Sequence, residues 1–327
     1  MTFPIDFVID WVDDSDPRWI NKRNAYLPES ERLSTRFRDW GWLKYWFRSV
    51  DVNAPWVRYV HLITDSQVPN WLDINNSKLN LVDHTSYIDR SYLPTFNSNA
   101  IELSIHKISL LSNHFVFFND DFFLNDEVVP ENFFNKKGLP LDSGVVSPQL
   151  PINNSITHIT TNNMQVINDS YSRRNVLKHL HKFVNLKYGK QNIKTLASLL
   201  WPILLGFNDL HIPISFQKET FKIVWEKYGQ LLKKTEENKF RTNNDLNIYL
   251  MRYWQLINGD FQPRSYGFGK YYNLSDNNDL ALSDILKKKH KVIVLNDQPN
   301  IENFYKVRKE IQDTFLKRYP KKSSFEI

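Results

Sequence analysis

Cysteine is absent from this sequence. That excludes a disulfide framework, a thiolate zinc site, an iron–sulfur centre and a Cys nucleophile in one step, and it suits a reducing compartment. Glycine is scarce, with nine in 327 residues. Neither a GxxxxGK loop nor a GxGxxG turn occurs, and no HExxH, so the P-loop, dinucleotide and zincin fingerprints are missing. Long apolar runs are missing too. The longest charge-free one, Thr195–Asn208 (TLASLLWPILLGFN), falls short of the about 20 residues of a membrane span and contains Pro202. It reads as a buried or surface-seated helix. Met1–Trp11 reads as a strand with two aspartates rather than a basic, apolar leader, so no signal peptide is expected. Charge of one sign does not dominate: 42 Lys+Arg against 36 Asp+Glu leave +6. Such a charge favours anionic partners such as nucleotides, phospho-sugars or an anionic membrane surface. No dense basic face is visible, so nucleic acid is not expected as a partner.

What is present is core material. Hydrophobic residues make up 41% and charged ones 24%, with 22 Phe, 15 Tyr and 10 Trp, enough for one large domain or one domain with a sizeable insertion. Ile5–Trp11 (IDFVIDW) is apolar and β-rich, and Val57–Thr64, Leu79–Asp83 and His114–Asn119 follow as further strands. Arg38–Asp51 carries Trp40, Leu43, Phe47 and Val50 at helical spacing. Ser98–Leu111 does the same with Ile101, Ile105 and Ile108. Strands alternating with helices predict an α/β layer with a largely parallel sheet. Leu141–Ile167 reads as extended segments with Asn-rich loops. Ser172–Leu186, Ile193–Leu205, Gln217–Leu232 and Asn243–Ile257 read as helices. A late strand, Lys291–Leu295, and a final helix near Asn300–Arg318 suggest a return to the sheet before a frayed tail. The organisation expected is an α/β core of 1–140 and 285–320, with 141–284 as a mainly helical insertion.

Five motifs could carry chemistry. Asp10–Asp16 (DWVDDSD) ends the first strand, where ligands of open α/β sheets bind; a solvated acidic turn is an equal reading. Asn119-Asp120-Asp121 follows the buried strand HFVFF. Two adjacent carboxylates repel unless a cation or donors compensate, and their hard oxygens suit Mg²⁺ or Mn²⁺ bridging phosphates, which favours function over a simple turn. Glu102 and His106 are four apart on a predicted helix, with Ser98 as its cap; a surface pair is the plainer reading. Arg36 and Arg38 precede and open a helix, where cations are tolerated better beside an anion. The last set is dispersed: His211 with Pro213, Arg241 with Asp245, and Asn296-Asp297. A His can act as general base and an Arg can clamp a phosphoryl group, although a loop filler, a T-x-x-D capping box and a strand end explain each alone.

Taken in order, these residues resemble the Stealth family, which covers bacterial capsular and exopolysaccharide phosphotransferases and the animal N-acetylglucosamine-1-phosphotransferase catalytic subunit. IDFVIDWVDDSDPRW resembles its first block. RFRDWGWLKYWFRSVDVNAPWVRYVHLITDSQVPNWLD through LPTFNSNAIELSIHKISLLSNHFVFFNDDFFL resembles the long second block. DLHIPISFQKETF with FRTNNDLN resembles the third, and VIVLND the fourth. Ser66 and Ser109 stand where many relatives have Gly, a departure expected to affect loop shape rather than chemistry.

The resemblance implies a Rossmann-like, glycosyltransferase-A-like fold. It also implies a reaction: a hexose-1-phosphate or N-acetylhexosamine-1-phosphate moves from a UDP-sugar to a hydroxyl of an acceptor glycan, releasing UMP. The expected catalytic set is His211, Arg241, Asp120, Asp121 and Glu102, with His211 first as base and Asp120 and Asp121 as ligands of Mg²⁺ or Mn²⁺. Donor or acceptor contacts are expected from Asp10, Trp11, Asp14, Arg38, Asn97, Ser98, His106, Asn119, Asp245, Asn296 and Asp297. The acceptor expected is a lipid-linked oligosaccharide at the inner face of a bacterial plasma membrane. Thr195–Leu205 and the lysines Lys233, Lys234, Lys287, Lys288, Lys289 and Lys291 could touch the bilayer, although solvated helix faces are the plainer reading. Two other readings compete: a metal-dependent glycosyltransferase releasing UDP, and a glycan-binding module.

Overall fold

The computed structural model describes residues 1–28, 38–152 and 156–327; Arg36 lies outside them. The strands are β1 (Ile5–Asp10), β2 (Val60–Thr64), β3 (Leu79–Asp83), β4 (His114–Phe118), β5 (Phe122–Leu124), β6 (Leu141–Asp142), β7 (Ile214–Gln217), β8 (Gln262–Pro263), β9 (Gly269–Asn273) and β10 (Val292–Asn296). The helices are α1 (Pro17–Asn24), α2 (Leu43–Asn53), α3 (Ser98–Leu103), α4 (Thr157–Ser170), α5 (Arg173–Lys178), α6 (Leu180–Phe183), α7 (Asn192–Ser198), α8 (Lys218–Glu236), α9 (Tyr249–Asn258), α10 (Asp279–Lys287) and α11 (Phe304–Arg318).

The central sheet has the order β3-β2-β1-β4-β7. Its first four strands are parallel and β7 is antiparallel to β4. Both faces are covered, and this explains the near-continuous apolar strands. Side chains alternate between two cores. Phe7, Ile9, Val116 and Phe118 pack with α2, α10 and α11 on one side. Val8, Phe115 and Phe117 pack with residues of α3, α4, α8 and α9 on the other. The α/β, mostly parallel, Rossmann-like glycosyltransferase fold expected from the sequence is the fold found.

Several local expectations are corrected. The helix expected from Arg38 begins at Leu43, because Gly41 takes φ +67° and a Cβ there would meet the Arg308 guanidinium at 2.7 Å. The helix expected over Ser98–Leu111 ends at Leu103 and gives way to one tight turn over 105–107. Its cap is Asn97, whose side chain accepts from the Asn99 N–H, rather than Ser98. Residues 157–167, expected as extended, belong to α4, which buries Ile159, Asn163, Val166 and Ile167. The strand at Val292–Asn296 does not rejoin the central sheet. It lies between β5 and β9 in a separate three-stranded sheet. The segment 141–284, expected as mainly helical, contains α4 to α9 and also supplies β7 to the central sheet and β9 to the small one. The tail is docked, not frayed. Phe325 is buried, and Arg48, on α2, donates from Nε and Nη2 to Glu326 at 2.7 Å each. Among the described residues no helix is long and apolar enough to cross a membrane.

Candidate active site

Parallel strands deliver their carboxyl ends to one edge of a sheet, so the residues just beyond β1, β2, β3 and β4 meet there. Asp10 closes β1. Beyond β4 the chain turns sharply at Asn119-Asp120-Asp121, with the Phe122 N–H donating to the Asn119 carbonyl at 3.1 Å before β5 begins. Two cavities open at this edge. The inner one, about 200 Å³, is lined by residues that include Asp10, Trp11, Trp19, Phe96, Ser98 and Glu102. The outer cleft, about 930 Å³, runs past Arg38, Asp39, Trp42, Asp121 and His211 to Asn296 and Asp297. Trp11, Asn119, Asp120 and Arg241 line both. Asp120, His211 and Arg241, far apart in the chain, therefore share one cleft large enough for a ligand.

The junction is rich in carboxylates and poor in cations. Burial, and then the charge of Glu102, push Asp10 up to about 8, with Arg241 opposing. Burial raises Glu102 to about 7, again against Arg241. Crowding by the cleft walls raises Asp120, and Asp121, Asp10 and Asp39 raise it further. The Asp120 residue itself is exposed to the open cleft. Water therefore reaches its carboxylate, and the neighbouring like charges favour its protonated form. One oxygen of Asp121, Oδ1, is buried without a hydrogen-bond partner. Among the described residues Arg241 is the cation that lines both cavities, and it donates from Nη2 to the Ser98 hydroxyl. The unpartnered Asp121 oxygen and the clustered carboxylates around it fit a divalent cation at Asp120 and Asp121. Among the described residues no three His, Asp or Glu side chains form a ready-made cage, so such a cation would need further oxygens from a bound phosphate.

His211 stands on the outer wall. Its Nε2 lies 3.6 Å from Asp121 Oδ2, and its ring packs edge-on against Phe122 at 4.8 Å. Its backbone is left-handed, with φ +47°, a conformation that costs a non-glycine residue free energy and recurs at functional sites. A buried ion network lies behind it. Arg252 donates from Nε and Nη2 to Asp142 at 2.7 and 3.0 Å, and from Nη1 to Asp209 at 2.6 Å. Asp209 is two residues before His211, so this network fixes the base of the loop.

The remaining expected residues sort by position. Asn296, Asp297 and Asn119 line the outer cleft. Arg38 also lines it but is already neutralised: Nε and Nη2 reach Asp297 at 3.0 and 2.7 Å, and the guanidinium stacks 4.3 Å over Phe304. The two residues lock the loop after β10 to the segment before α2. Asp14 lines neither cavity; it accepts the Asp39 N–H at 3.0 Å and so sets the cleft residue Asp39. Asn97 and Asp245 are fully buried and face each other. The Asp245 carboxylate accepts from Asn97, Asn99, Asn238 and Thr242. They hold the Arg241 loop against the start of α3 and line neither cavity. His106 does not join Glu102. The helix between them has ended, and the ring packs against Phe221 and Trp225, where burial lowers its pKa to about 4.

Sequence reasoning missed Asp39, Asp65 and His84. Asp65 follows β2 and is bound by Lys22 Nζ at 2.6 Å. His84 follows β3 and lines the inner cavity; its Nδ1 is buried without a partner, and burial lowers its pKa to about 4. The rule that singled out the ends of the first and fourth strands applied equally to the second and third. Ser66, one of the two departures from glycine, sits at φ +59°, a conformation glycine adopts freely, and its hydroxyl donates to Asp83 Oδ2 at 2.5 Å.

Comparison with known proteins gives the family. Residues 3–31 match the family model described as Stealth protein CR1, conserved region 1, and residues 36–142 that of Stealth protein CR2, conserved region 2. A capsular polysaccharide phosphotransferase of Streptococcus pneumoniae is 43% identical, covering 98% of each chain. An exopolysaccharide phosphotransferase of Lactiplantibacillus plantarum is 44% identical over 99% of this chain and 96% of its own. A receptor polysaccharide phosphotransferase of Streptococcus gordonii is 37% identical over the whole of both. With first and second regions matched, full-length likeness to phosphotransferases and a carboxylate-lined cleft where a parallel sheet ends, the chain belongs to the Stealth family and is a transferase of the phosphotransferase type.

Proposed function

We propose that the protein transfers a hexose-1-phosphate or N-acetylhexosamine-1-phosphate from a UDP-sugar to a hydroxyl of an acceptor glycan in cell-surface polysaccharide synthesis. The observation that carries this reading is the sharing of Asp120, Arg241 and His211 by one cleft that continues into an aromatic inner pocket. In this reading Trp11, Trp19 and Phe96 receive the nucleoside or sugar rings of the donor. Its diphosphate lies at the junction, where Arg241, held by Ser98, neutralises phosphoryl oxygens. The acceptor enters by the outer cleft, on the side of His211.

His211 takes the proton of the acceptor hydroxyl, and Asp121 orients the imidazole. The hydroxyl oxygen bonds to the sugar-bearing phosphorus. The bond from that phosphorus to the bridging oxygen breaks, and UMP leaves with that oxygen. Attack on phosphorus needs positioning and charge neutralisation more than covalent help. Asp120 and Asp121 would hold Mg²⁺ or Mn²⁺, which supplies charge neutralisation at the diphosphate. The family names of the relatives, phosphotransferases of capsular, exo- and receptor polysaccharides, support a glycan acceptor. A lipid-linked oligosaccharide on the cytoplasmic side of a membrane is the acceptor proposed.

The test is the by-product. A panel of UDP-sugars with a lipid-linked acceptor is expected to give UMP and a phosphodiester resonance in the phosphorus NMR spectrum. Release of UDP with no diester would instead make the protein a metal-dependent glycosyltransferase using the same cleft.

A further inference from the structure

Helix α7 is built inside out. A helix on a soluble protein turns its apolar stripe inward and its polar face to water. Here the buried positions are Thr195 and Ser198, whose hydroxyls bond the Val146 backbone: Thr195 Oγ1 accepts its N–H at 3.0 Å and Ser198 Oγ donates to its carbonyl at 3.5 Å. The exposed positions are Ile193, Lys194, Leu196 and Ala197, of which Ile193, Leu196 and Ala197 form an apolar stripe that Leu200 continues at the same spacing. Ile193 is 70% exposed and Leu200 77%. Trp201 and Ile203 extend the apolar surface past the helix end. Scattered exposed leucines need no explanation, but a contiguous stripe on a helix whose hydroxyls are buried does.

The charge around the stripe is one-sided. Residues 170–208 contain seven Lys and Arg and no Asp or Glu. The whole chain carries +6, so 6 − 7 leaves the rest at −1. The mild basicity of the protein is thus concentrated in the segment that also shows its apolar side chains, and Lys187, Lys190 and Lys194 of that segment are exposed.

We propose that α7 and the turn after it form a face that docks on an anionic lipid bilayer. The apolar stripe would lie in the plane of the interface, with Trp201 at headgroup depth and the lysines on the phosphates. A second copy of the chain is a poorer occupant. A two-fold dimer presses one patch against itself, and here that sets the exposed Lys187, Lys190 and Lys194 against their own copies. The face also leads to the cleft. The Ser147 and Gln149 N–H groups donate to the carbonyls of Gly206 and Leu205 at 3.1 and 3.0 Å, which brings the segment carrying exposed Leu150 and Ile152 alongside the turn that carries Ile203. Ile156 then lines the outer cleft itself. A glycan carried on a lipid would reach His211 along this path, a consequence that rests on the proposed reaction. The docking does not.

Vesicle flotation tests it without donor or acceptor, so its outcome is independent of the by-product assay. The full chain is mixed with vesicles of phosphatidylglycerol and phosphatidylcholine in equal parts, or of phosphatidylcholine alone. Binding should be at least on the order of tenfold tighter to the anionic vesicles and should weaken as salt rises. Leu200→Glu with Trp201→Glu should lose that binding while circular dichroism stays that of the wild type. Lys187→Gln, Lys190→Gln and Lys194→Gln together should lose the preference for the anionic lipid; this triple variant decides the matter if the first does not fold. The proposal is overturned by equal or absent binding to both vesicles, by unchanged binding of folded variants, or by sedimentation showing that the apolar substitutions dissociate a dimer that ignores lipid.

Discussion

Arg252→Met isolates the ion network beneath His211. The guanidinium is almost fully buried; it also donates to the Ser143 carbonyl at 2.9 Å, and Tyr253 donates to Asp209. Burial pushes Asp209 up to about 6, with Arg252 as the first opposing influence. Removing the cation leaves Asp142 and Asp209 close together in an apolar interior. Breaking a buried pair in this way costs about 3–5 kcal/mol, because a carboxylate must stay uncompensated or take a proton. For a chain of 327 residues that is a fall in the thermal midpoint of about 4–7 °C. The triple variant Arg252→Met, Asp142→Asn, Asp209→Asn removes the stranded charges and should recover most of the loss. The same change frees the loop that holds His211 at positive φ, so kcat should fall by on the order of tenfold or more while KM changes little. Differential scanning calorimetry and steady-state kinetics on one preparation check both. An Arg252→Met protein with the wild-type midpoint and wild-type kcat would refute the role given to this network.

Asp120→Asn and Arg241→Ala should each lower turnover by about 10³-fold or more, since each removes charge stabilisation at the diphosphate. Both residues are exposed, so the thermal midpoint should hold; near-normal turnover at normal stability would remove them from the site. Chelation with EDTA should stop turnover, and Mg²⁺ or Mn²⁺ should restore it; full activity after prolonged dialysis against chelator would end the cation's part. Asp6, fully buried within β1, gives a pH signature. Burial works to raise its pKa, but hydrogen bonds from Arg58, His61 and the Ser112 N–H prevail and hold it below 3.8. The unfolded chain thus takes this proton first as pH falls. The stability it confers is present above the ordinary carboxylate range and drains as pH falls through the lowered folded value. Asp6→Asn should cost on the order of 2 kcal/mol at neutral pH and flatten the acid limb of a stability–pH curve. An unchanged acid limb would show that the network does not govern it.

The legible parts of the fold were the fully buried strands. Phe7 to Ile9 and Phe115 to Phe118 are apolar at every position because both faces of the sheet are covered, and continuous apolar runs ending in acidic turns give themselves away. The illegible parts depended on partners distant in sequence. Asn-rich α4 shows a blurred periodicity because Asn163 is buried against Asn247, donating to it at 2.7 Å. Strand β7 is four residues long and exists because β4 offers an edge. The tail looks polar but is held by Arg48. In the site, the acidic strand ends at Asp10 and Asp120 were readable from position alone. Asn97 and Asp245 were readable as polar residues of note, but their role was not, since a carboxylate buried among four donors and one facing a ligand have the same one-letter code.

The sequence alone determined the continuous apolar strands and the period-3.6 helices between them, hence the α/β class, and the order of the Stealth blocks, hence the family. It also set the excess of carboxylates after parallel strands, because chain direction fixes which end of such a strand a following residue occupies. Tertiary structure alone decided which of those groups meet. Arg38 is spent on Asp297, His106 is turned into a core, and His211 is carried to Asp121 on a left-handed loop. The reason is range: hydrophobic periodicity is written within a few residues, whereas the fate of a charge is set by whatever the fold brings within a few ångströms of it.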